Sequence, residues 1–321
     1  MHQQILVIQP LPGIGDALWF LPHMKAIQDH YPKGEVSLLT KPSSRADQVL
    51  ADSLDLKEVL WLKREAGEHS GLGGFFRLVT MLKSRKFEAV WILHKSPRYA
   101  LAAKLAGIPI IYGYGTSYGA LFTQKPPLTK QEQTAHPIER ATHLLVRHGI
   151  ETASLKKTKL KVSASSRKLI EKKFSLQKNE KVLVLGVGGS VDYKKWPATF
   201  FADVAVHFSK QNHRVFILGG AQERREAELI QTLVEESGAK ATAVFDLSIP
   251  ESFALLNKAD LFIGNDTGML NAAAMLGIQT YGFFAKTPPL TYRPNLHPIT
   301  PTTDPATVSD ITVDQVLGVV G

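Results

Sequence analysis

The 321 residues carry 38 Lys and Arg against 29 Asp and Glu, a formal charge of +9, with 44% hydrophobic residues and no cysteine. That is a globular composition, long enough for two domains of ordinary size. It excludes disulfides and thiolate metal sites and suits a reducing cytoplasm, and no apolar run approaches the roughly 20 residues of a membrane helix.

The positive balance points to anionic partners: phosphorylated sugars, a lipid headgroup surface or nucleic acid. The basic residues are scattered and form no aromatic-interleaved patch, so nucleic acid is not expected. A phosphate-bearing substrate or an anionic membrane face fits better.

The amino-terminal apolar run is too short for a signal peptide and reads as a first strand, Ile5–Ile8. Pro10-Leu11-Pro12-Gly13-Ile14-Gly15-Asp16 follows, then a helix from Ala17 to about His30. The glycines allow a sharp turn and a close backbone approach. A dinucleotide fingerprint needs glycine or alanine three residues after Gly15, where Leu18 stands. Asp16 is either a helix-capping residue or a general base at a strand's carboxyl end.

Glu35–Thr40 and Glu58–Leu62 read as strands, with a helix over Arg45–Ala51 between them. His69–Gly74 reads as a glycine-rich loop and Phe75–Arg85 as a helix. Ala89–Leu93 is a buried strand ending in His94-Lys95-Ser96. His94 and Lys95 could meet an anionic acceptor, or could simply be exposed. Tyr99–Ala106 is the next helix and Ile108–Tyr112 a strand. His136 opens a helix to about His148.

Ser154–Ser175 is rich in Lys and Ser. It holds a strand-like run, Leu160–Val162, and a helix near Ser166–Phe174. The domain connection is expected here, dividing the chain into 1–165 and 166–321. Lys181–Gly186 starts a second α/β set, with Val187-Gly188-Gly189-Ser190 as its turn. Lys194-Lys195-Trp196-Pro197 precedes a helix, Ala198–Lys210. Two lysines beside a strand-end loop suit a pyrophosphate, although lysines are usually surface charge. After Arg214–Leu218 and the Gly219-Gly220 turn, Glu223 could accept ribose hydroxyls or serve only as a dipole-favoured helix residue. Asp246-Leu247 ends a further strand, and Pro250–Lys258 is a helix.

Asp260–Gly277 reads strand, tight turn, helix. Leu261–Ile263 is the apolar strand, 264–268 the turn, and Met269–Leu276 the helix, stopped at Gly277. Asp266 or Thr267 can cap that helix, and Gly268 lets a ligand approach the first-turn N–H groups. Those groups and the helix dipole favour a phosphate. Thr280–Phe284 is the next strand, and Ser309–Leu317 a capped closing helix. Two α/β domains of similar size, each with polar strand ends, suggest a ligand cleft between them. The sequence has no Asp-x-Asp, no metal-spaced His/Asp/Glu cluster and no P-loop.

Taken in order, these motifs resemble glycosyltransferase family 9, the ADP-heptose:lipopolysaccharide heptosyltransferases. Gly13-Ile14-Gly15-Asp16 with Leu21-Pro22 is similar to the family's amino-terminal element. Lys194-Lys195-Trp196-Pro197 is similar to its K-x-W-P, and Gly219-Gly220-Ala221-Gln222-Glu223 to its G-G-x-x-E. Asp266-Thr267-Gly268 is similar to its D-T-G, and Ile311–Leu317 to its closing helix. The resemblance implies a GT-B fold, two Rossmann-like α/β domains facing across a cleft, with acceptor on the first and nucleotide-sugar donor on the second. The closing helix would then be able to pack back on the first domain.

The resemblance also assigns roles. Asp16 would deprotonate the acceptor hydroxyl, with Gly15, His94 and Lys95 on the acceptor side. Lys194 would hold the donor pyrophosphate beside Thr267 and Gly268, Glu223 the ribose, and Asp266 the donor sugar or its phosphate. Transfer would invert the anomeric centre with no bound metal and no organic cofactor. The acceptor would be a lipid-linked glycan, and the location cytoplasmic, with peripheral contact at the inner membrane face. Asn271 stands in the donor region where the family often has His, and Ala285-Lys286-Thr287 where it commonly reads G-P-T. Two other readings stay open: a GT-B transferase or epimerase using another nucleotide sugar, and a non-catalytic sugar-nucleotide-binding relative.

Overall fold

The computed structural model describes residues 3–65, 67–177, 179–189, 191–286, 288–302 and 307–321. Met1, His2, Ser190 of the expected glycine turn and Thr287 of the expected strand-end loop lie outside the described residues. The chain divides into two compact units, Met1–Thr158 and Lys159–Gly321.

Unit 1 alternates strand and helix: β1 Gln4–Ile8, α1 Ile14–His30, β2 Glu35–Thr40, α2 Ala46–Val49, β3 Leu56–Trp61, α3 Gly71–Lys83, β4 Ala89–Ile92, α4 Pro97–Leu105 and β5 Ile110–Gly113. Two more helices follow, α5 Lys130–Thr134 and α6 Pro137–Arg147. The strands form one parallel sheet in the order β3-β2-β1-β4-β5. Ile5 to Ile8 are fully buried, which is why β1 is a continuous apolar run rather than an alternating one. Leu6, Ile8, Val90 and Ile92 of the sheet pack with Leu78 and Leu82 of α3 and Ala102 and Ala103 of α4. So α3 and α4 lie side by side on one face of the sheet.

Unit 2 opens with α7 Ala164–Phe174. It continues β6 Val182–Gly186, α8 Ala198–Lys210, β7 Arg214–Leu218, α9 Arg224–Glu236, β8 Thr242–Val244, α10 Ile249–Leu256, β9 Leu261–Asn265, α11 Gly268–Leu276, β10 Gln279–Phe283, β11 Leu296–Ile299 and α12 Val313–Val320. The parallel sheet runs β11-β10-β9-β6-β7-β8. Trp196 is fully buried in its core, with Phe283 and Phe201 ring centroids at 4.5 and 4.9 Å. Its indole N–H donates to Ile311 O at 2.8 Å. α12 packs on α8 within this unit.

Several boundaries differ from the sequence reading. α1 begins at Ile14, three residues earlier than expected, because Asp16 serves as the third residue of the first turn and bonds back to Gly13. Gly71–Gly74 belong to α3, whose buried Gly74, Phe75, Leu78 and Leu82 set its inner face. Leu160–Val162 is not a strand: the Leu160 N–H donates to Met275 O at the end of α11. The strand β11 was not expected. Pro298 interrupts its pattern, and an edge strand is where a sheet tolerates proline.

Candidate functional site

Each sheet reverses its strand order once, and each reversal places two strand-end loops side by side, the usual ligand position in open α/β sheets. In unit 1 the reversal lies between β1 and β4. The loops there carry Gly13-Ile14-Gly15-Asp16 and His94-Lys95-Ser96. In unit 2 it lies between β6 and β9. The loops there carry Val187-Gly188-Gly189, Lys194-Lys195 and Asp266-Thr267-Gly268. Glu223 follows β7, the strand beside β6. The fold thus brings Lys194, Glu223, Asp266, Thr267 and Gly268 to adjacent strand ends of one sheet.

On unit 1, Asp16 is half-buried. The Gly13 N–H donates to its Oδ2 at 2.8 Å. A Cβ at position 13 would sit 2.8 Å from that oxygen, so glycine there makes room for the carboxylate. Gln9, one residue beyond β1, is buried, with Oε1 accepting from Thr40 Oγ1 at 3.3 Å. Its Nε2 has no hydrogen-bond partner. His94 Nδ1 accepts the Ser96 N–H at 3.0 Å, so the neutral ring carries its proton on Nε2. Burial first, then the cations Arg140, Arg64, Lys41 and Lys95, hold this imidazole down at about 4. His94 is therefore a neutral donor within a cationic surround. Lys95 is exposed, and its carbonyl accepts from Thr116 Oγ1. The basic surround draws on the ends of β2, β3 and β4 and on α6, a convergence that segments read one at a time do not reveal.

On unit 2, Lys194 Nζ donates to Asp266 Oδ2 at 2.8 Å, both side chains being largely sheltered. Asn265 is fully buried and ties the two loops together. Its Oδ1 accepts the Trp196 N–H at 3.0 Å, and its Nδ2 donates to Val187 O and Gly188 O, each at 3.0 Å. Gly186 pairs with Gly264 in the ladder. A Cβ on Gly264 would meet Gly186 O at 2.4 Å, so two glycines let the strands close at this point. Gly264 and Asn265 are thus strand residues, not part of the turn.

The N-cap of α11 is Thr267, whose side chain makes no cap hydrogen bond. Helix first-turn N–H groups of this kind favour an anion. Asn271, one turn along, is buried. Its Nδ2 donates to Thr267 O at 2.9 Å and its Oδ1 accepts the Tyr292 hydroxyl at 2.7 Å. Burial pushes the Tyr292 phenol up, and the charge of Asp266 acts in the same direction. Asn271 thus braces the turn from inside the helix. Tyr292 was not singled out in the sequence, which gives no spacing signal for it. Lys286 Nζ lies 5.2 Å from the ring centroid of Tyr193, the residue before Lys194. Glu223 Oε2 accepts the Gly220 N–H at 2.9 Å, which realises its helix-terminal role in this state.

Among the described residues, no group of three or more His, Asp or Glu is placed to hold a metal. Nor is any helix among them long and apolar enough to cross a membrane.

The model of glycosyltransferase family 9 (heptosyltransferase) matches residues 75–307. The lipopolysaccharide heptosyltransferase 2 of Salmonella typhimurium is 23% identical over 307 residues, 90% of this chain and 86% of that protein. The lipooligosaccharide heptosyltransferase 2 of Campylobacter jejuni is 31% identical over 115 residues, 35% of this chain. That match spans only 36% of the relative's own length. The solved structure of E. coli ADP-heptose lps heptosyltransferase II superposes with a TM-score of 0.76 at 20% identity, covering 98% of this chain and 97% of the other. The two parallel-sheet units and this superposition make the fold GT-B.

Proposed function

The chain belongs to glycosyltransferase family 9, the heptosyltransferase family, and from that premise we propose that it moves heptose from ADP-heptose to a lipopolysaccharide core or related lipid-linked acceptor. Transfer inverts the anomeric centre and calls on no metal. Unit 1 takes the acceptor and unit 2 the donor.

The donor diphosphate sits at the β6–β9 reversal. Lys194 neutralises its charge, and the first-turn N–H groups at Thr267 and Gly268 add the field of the α11 amino terminus. To do so, Lys194 exchanges its bond to Asp266 for one to phosphate. Asp266 then turns to the donor sugar, Glu223 to the ribose, and Asn271 holds the turn in place through Thr267. Asp16 takes the proton of the acceptor hydroxyl, whose oxygen attacks the anomeric carbon as the carbon–oxygen bond to the diphosphate breaks. ADP leaves with the charge that Lys194 and α11 stabilise. Gly15 allows the acceptor close to the backbone. Neutral His94 donates from Nε2, and Lys95 with its basic neighbours meets the acceptor's acidic groups.

The observation that carries this reading is the meeting of Lys194 and Asp266, 72 positions apart in sequence, beside a helix terminus whose N-cap side chain, Thr267, makes no cap hydrogen bond. Calorimetry with ADP, UDP and GDP and their heptose or hexose sugars tests it. Selective binding of ADP and ADP-heptose is expected. Preference for UDP or GDP would discard the named donor, and binding of none would favour a non-catalytic relative.

A further inference from the structure

The loop after β10 carries a cation that the donor chemistry above does not use. Lys286 is exposed, three residues beyond Phe283, the last residue of β10. Among the described residues it forms no ion pair, and its ammonium rests 5.2 Å from the ring centroid of Tyr193. Tyr193 is itself 45% exposed and immediately precedes Lys194. Phe283 pairs with Asn265 in the ladder, so Lys286 leaves the sheet beside the Asp266–Gly268 turn. The Tyr193 ring thus holds an uncommitted positive charge next to the turn that takes the donor.

Strand order gives Lys286 its place along the donor. The sheet runs β10-β9-β6-β7 through the site. In the reading above, Glu223 after β7 meets the ribose, while Lys194 after β6 and Gly268 after β9 meet the diphosphate. The next strand outward is β10, so Lys286 stands at the sugar-bearing end of the diphosphate. Charge calls for a cation there. Lys194 shares its charge with Asp266, 2.8 Å away, and a helix amino terminus contributes only about half an elementary charge. A diphosphate brings more negative charge than these balance. Lys195 is turned elsewhere. Its side-chain carbons pack on Gly189, where a Cβ would lie 2.6 Å from Lys195 Cγ, and its charge acts on Glu226 of α9. A cation over an exposed ring is held weakly enough to exchange that contact for phosphate.

We propose that Lys286 is a second donor-binding cation of this chain, moving from the Tyr193 ring to the phosphate that bears the donor sugar. The inference rests on the donor-site reading above and adds a residue to it. When the bond from the anomeric carbon to that phosphate's oxygen breaks, its electron pair stays on the phosphate oxygen. The acceptor oxygen bonds to the carbon, and the acceptor proton passes to Asp16. Lys286 faces the charge that grows on the departing phosphate, so it stabilises the transition state more than the bound donor.

Titration calorimetry with ADP and AMP on the wild type, Lys286→Ala, Lys286→Arg and Lys194→Ala tests it. Lys286→Ala is expected to bind ADP about tenfold more weakly and AMP within about twofold of the wild type, because AMP lacks the second phosphate. Lys286→Arg should recover most of the loss. In turnover with ADP-heptose, Lys286→Ala should also lower kcat, the mark of a group that meets charge formed in the transition state. Wild-type ADP affinity in Lys286→Ala, with Lys194→Ala weakened, would overturn the proposal and leave the donor site standing. Equal loss of ADP and AMP would overturn the assignment to the sugar-bearing phosphate. Undiminished ADP binding in both alanine variants would bring down the donor-site reading, and this inference with it. Should the wild type select another base, the same comparison is run with the di- and monophosphate of that base.

Discussion

Replacing Lys194 with Ala tests the donor site at its most informative point. In the ligand-free state Lys194 is bonded to Asp266 at 2.8 Å, so the substitution does two things. It removes a charge-assisted hydrogen bond to the incoming diphosphate, worth about 1.5–3 kcal/mol. It also takes the Lys194 charge from between the Asp266 carboxylate and that diphosphate, and like charges in a sheltered site repel. Loss of the bond alone corresponds to roughly 10- to 150-fold weaker ADP binding; the exposed carboxylate adds to it. The two contributions separate in a double-mutant cycle. Lys194→Ala/Asp266→Asn should bind ADP more tightly than Lys194→Ala, because Asn removes the repulsion. Titration calorimetry with ADP across the four proteins reads this directly. Unchanged affinity in Lys194→Ala would refute the phosphate role. An equally weak double variant would refute the repulsion assigned to the Asp266 carboxylate.

Further tests follow from other parts of the structure. Asp16→Asn should abolish transfer while leaving ADP-heptose affinity within about twofold (donor binding falls to unit 2), since an amide can still accept the Gly13 N–H but cannot take a proton; transfer at the wild-type rate would remove Asp16 as base. Asn265→Ala strips three hydrogen bonds, two of them buried, from the junction of the two donor loops. It should cost about 3 kcal/mol or more, read as a lower denaturation midpoint, and a cost under about 0.5 kcal/mol would contradict its tethering role. The fully buried His23, bonded to Thr142 Oγ1 at 2.9 Å, is held by burial at about 4 against 6.5 in the unfolded chain. As pH falls from 6.5 to 4 the unfolded chain takes up the proton first. Stability present above 6.5 is then lost, by about 3 kcal/mol for this one group. His23→Asn should flatten that slope in denaturation midpoints, and an unaltered slope would show that His23 does not carry it.

What the sequence made legible was local. The run Leu261–Ile263, the short polar turn and the helix to Gly277 could be read because apolar pattern, capping residues and a helix-stopping glycine all act within a few residues. The Ala198–Lys210 helix behind Trp196-Pro197 was legible for the same reason. The ordered motifs identified the family although each alone was weak. Contacts between distant segments were not legible. Nothing near Gly264 says that it must face Gly186, so the apolar pattern ends the strand two residues short of its true end at Asn265. Nothing near Lys194 names Asp266 as its partner, and nothing near Asn271 names Tyr292. Strand order, which decides that the β6 and β9 loops are neighbours, is a property of the sheet and not of any segment. Pro298 hid β11 because a proline counts against a strand unless that strand is known to be at an edge.

The central claim, heptosyl transfer, is tested most directly by incubating the protein with ADP-heptose and a heptose-deficient lipopolysaccharide core acceptor and characterising the product by mass and anomeric configuration. An acceptor heavier by one heptose residue, with anomeric configuration opposite to that of the donor and with ADP released in equal amount, is the expected result. No incorporation from ADP-heptose, alongside transfer from a UDP- or GDP-sugar, would contradict it.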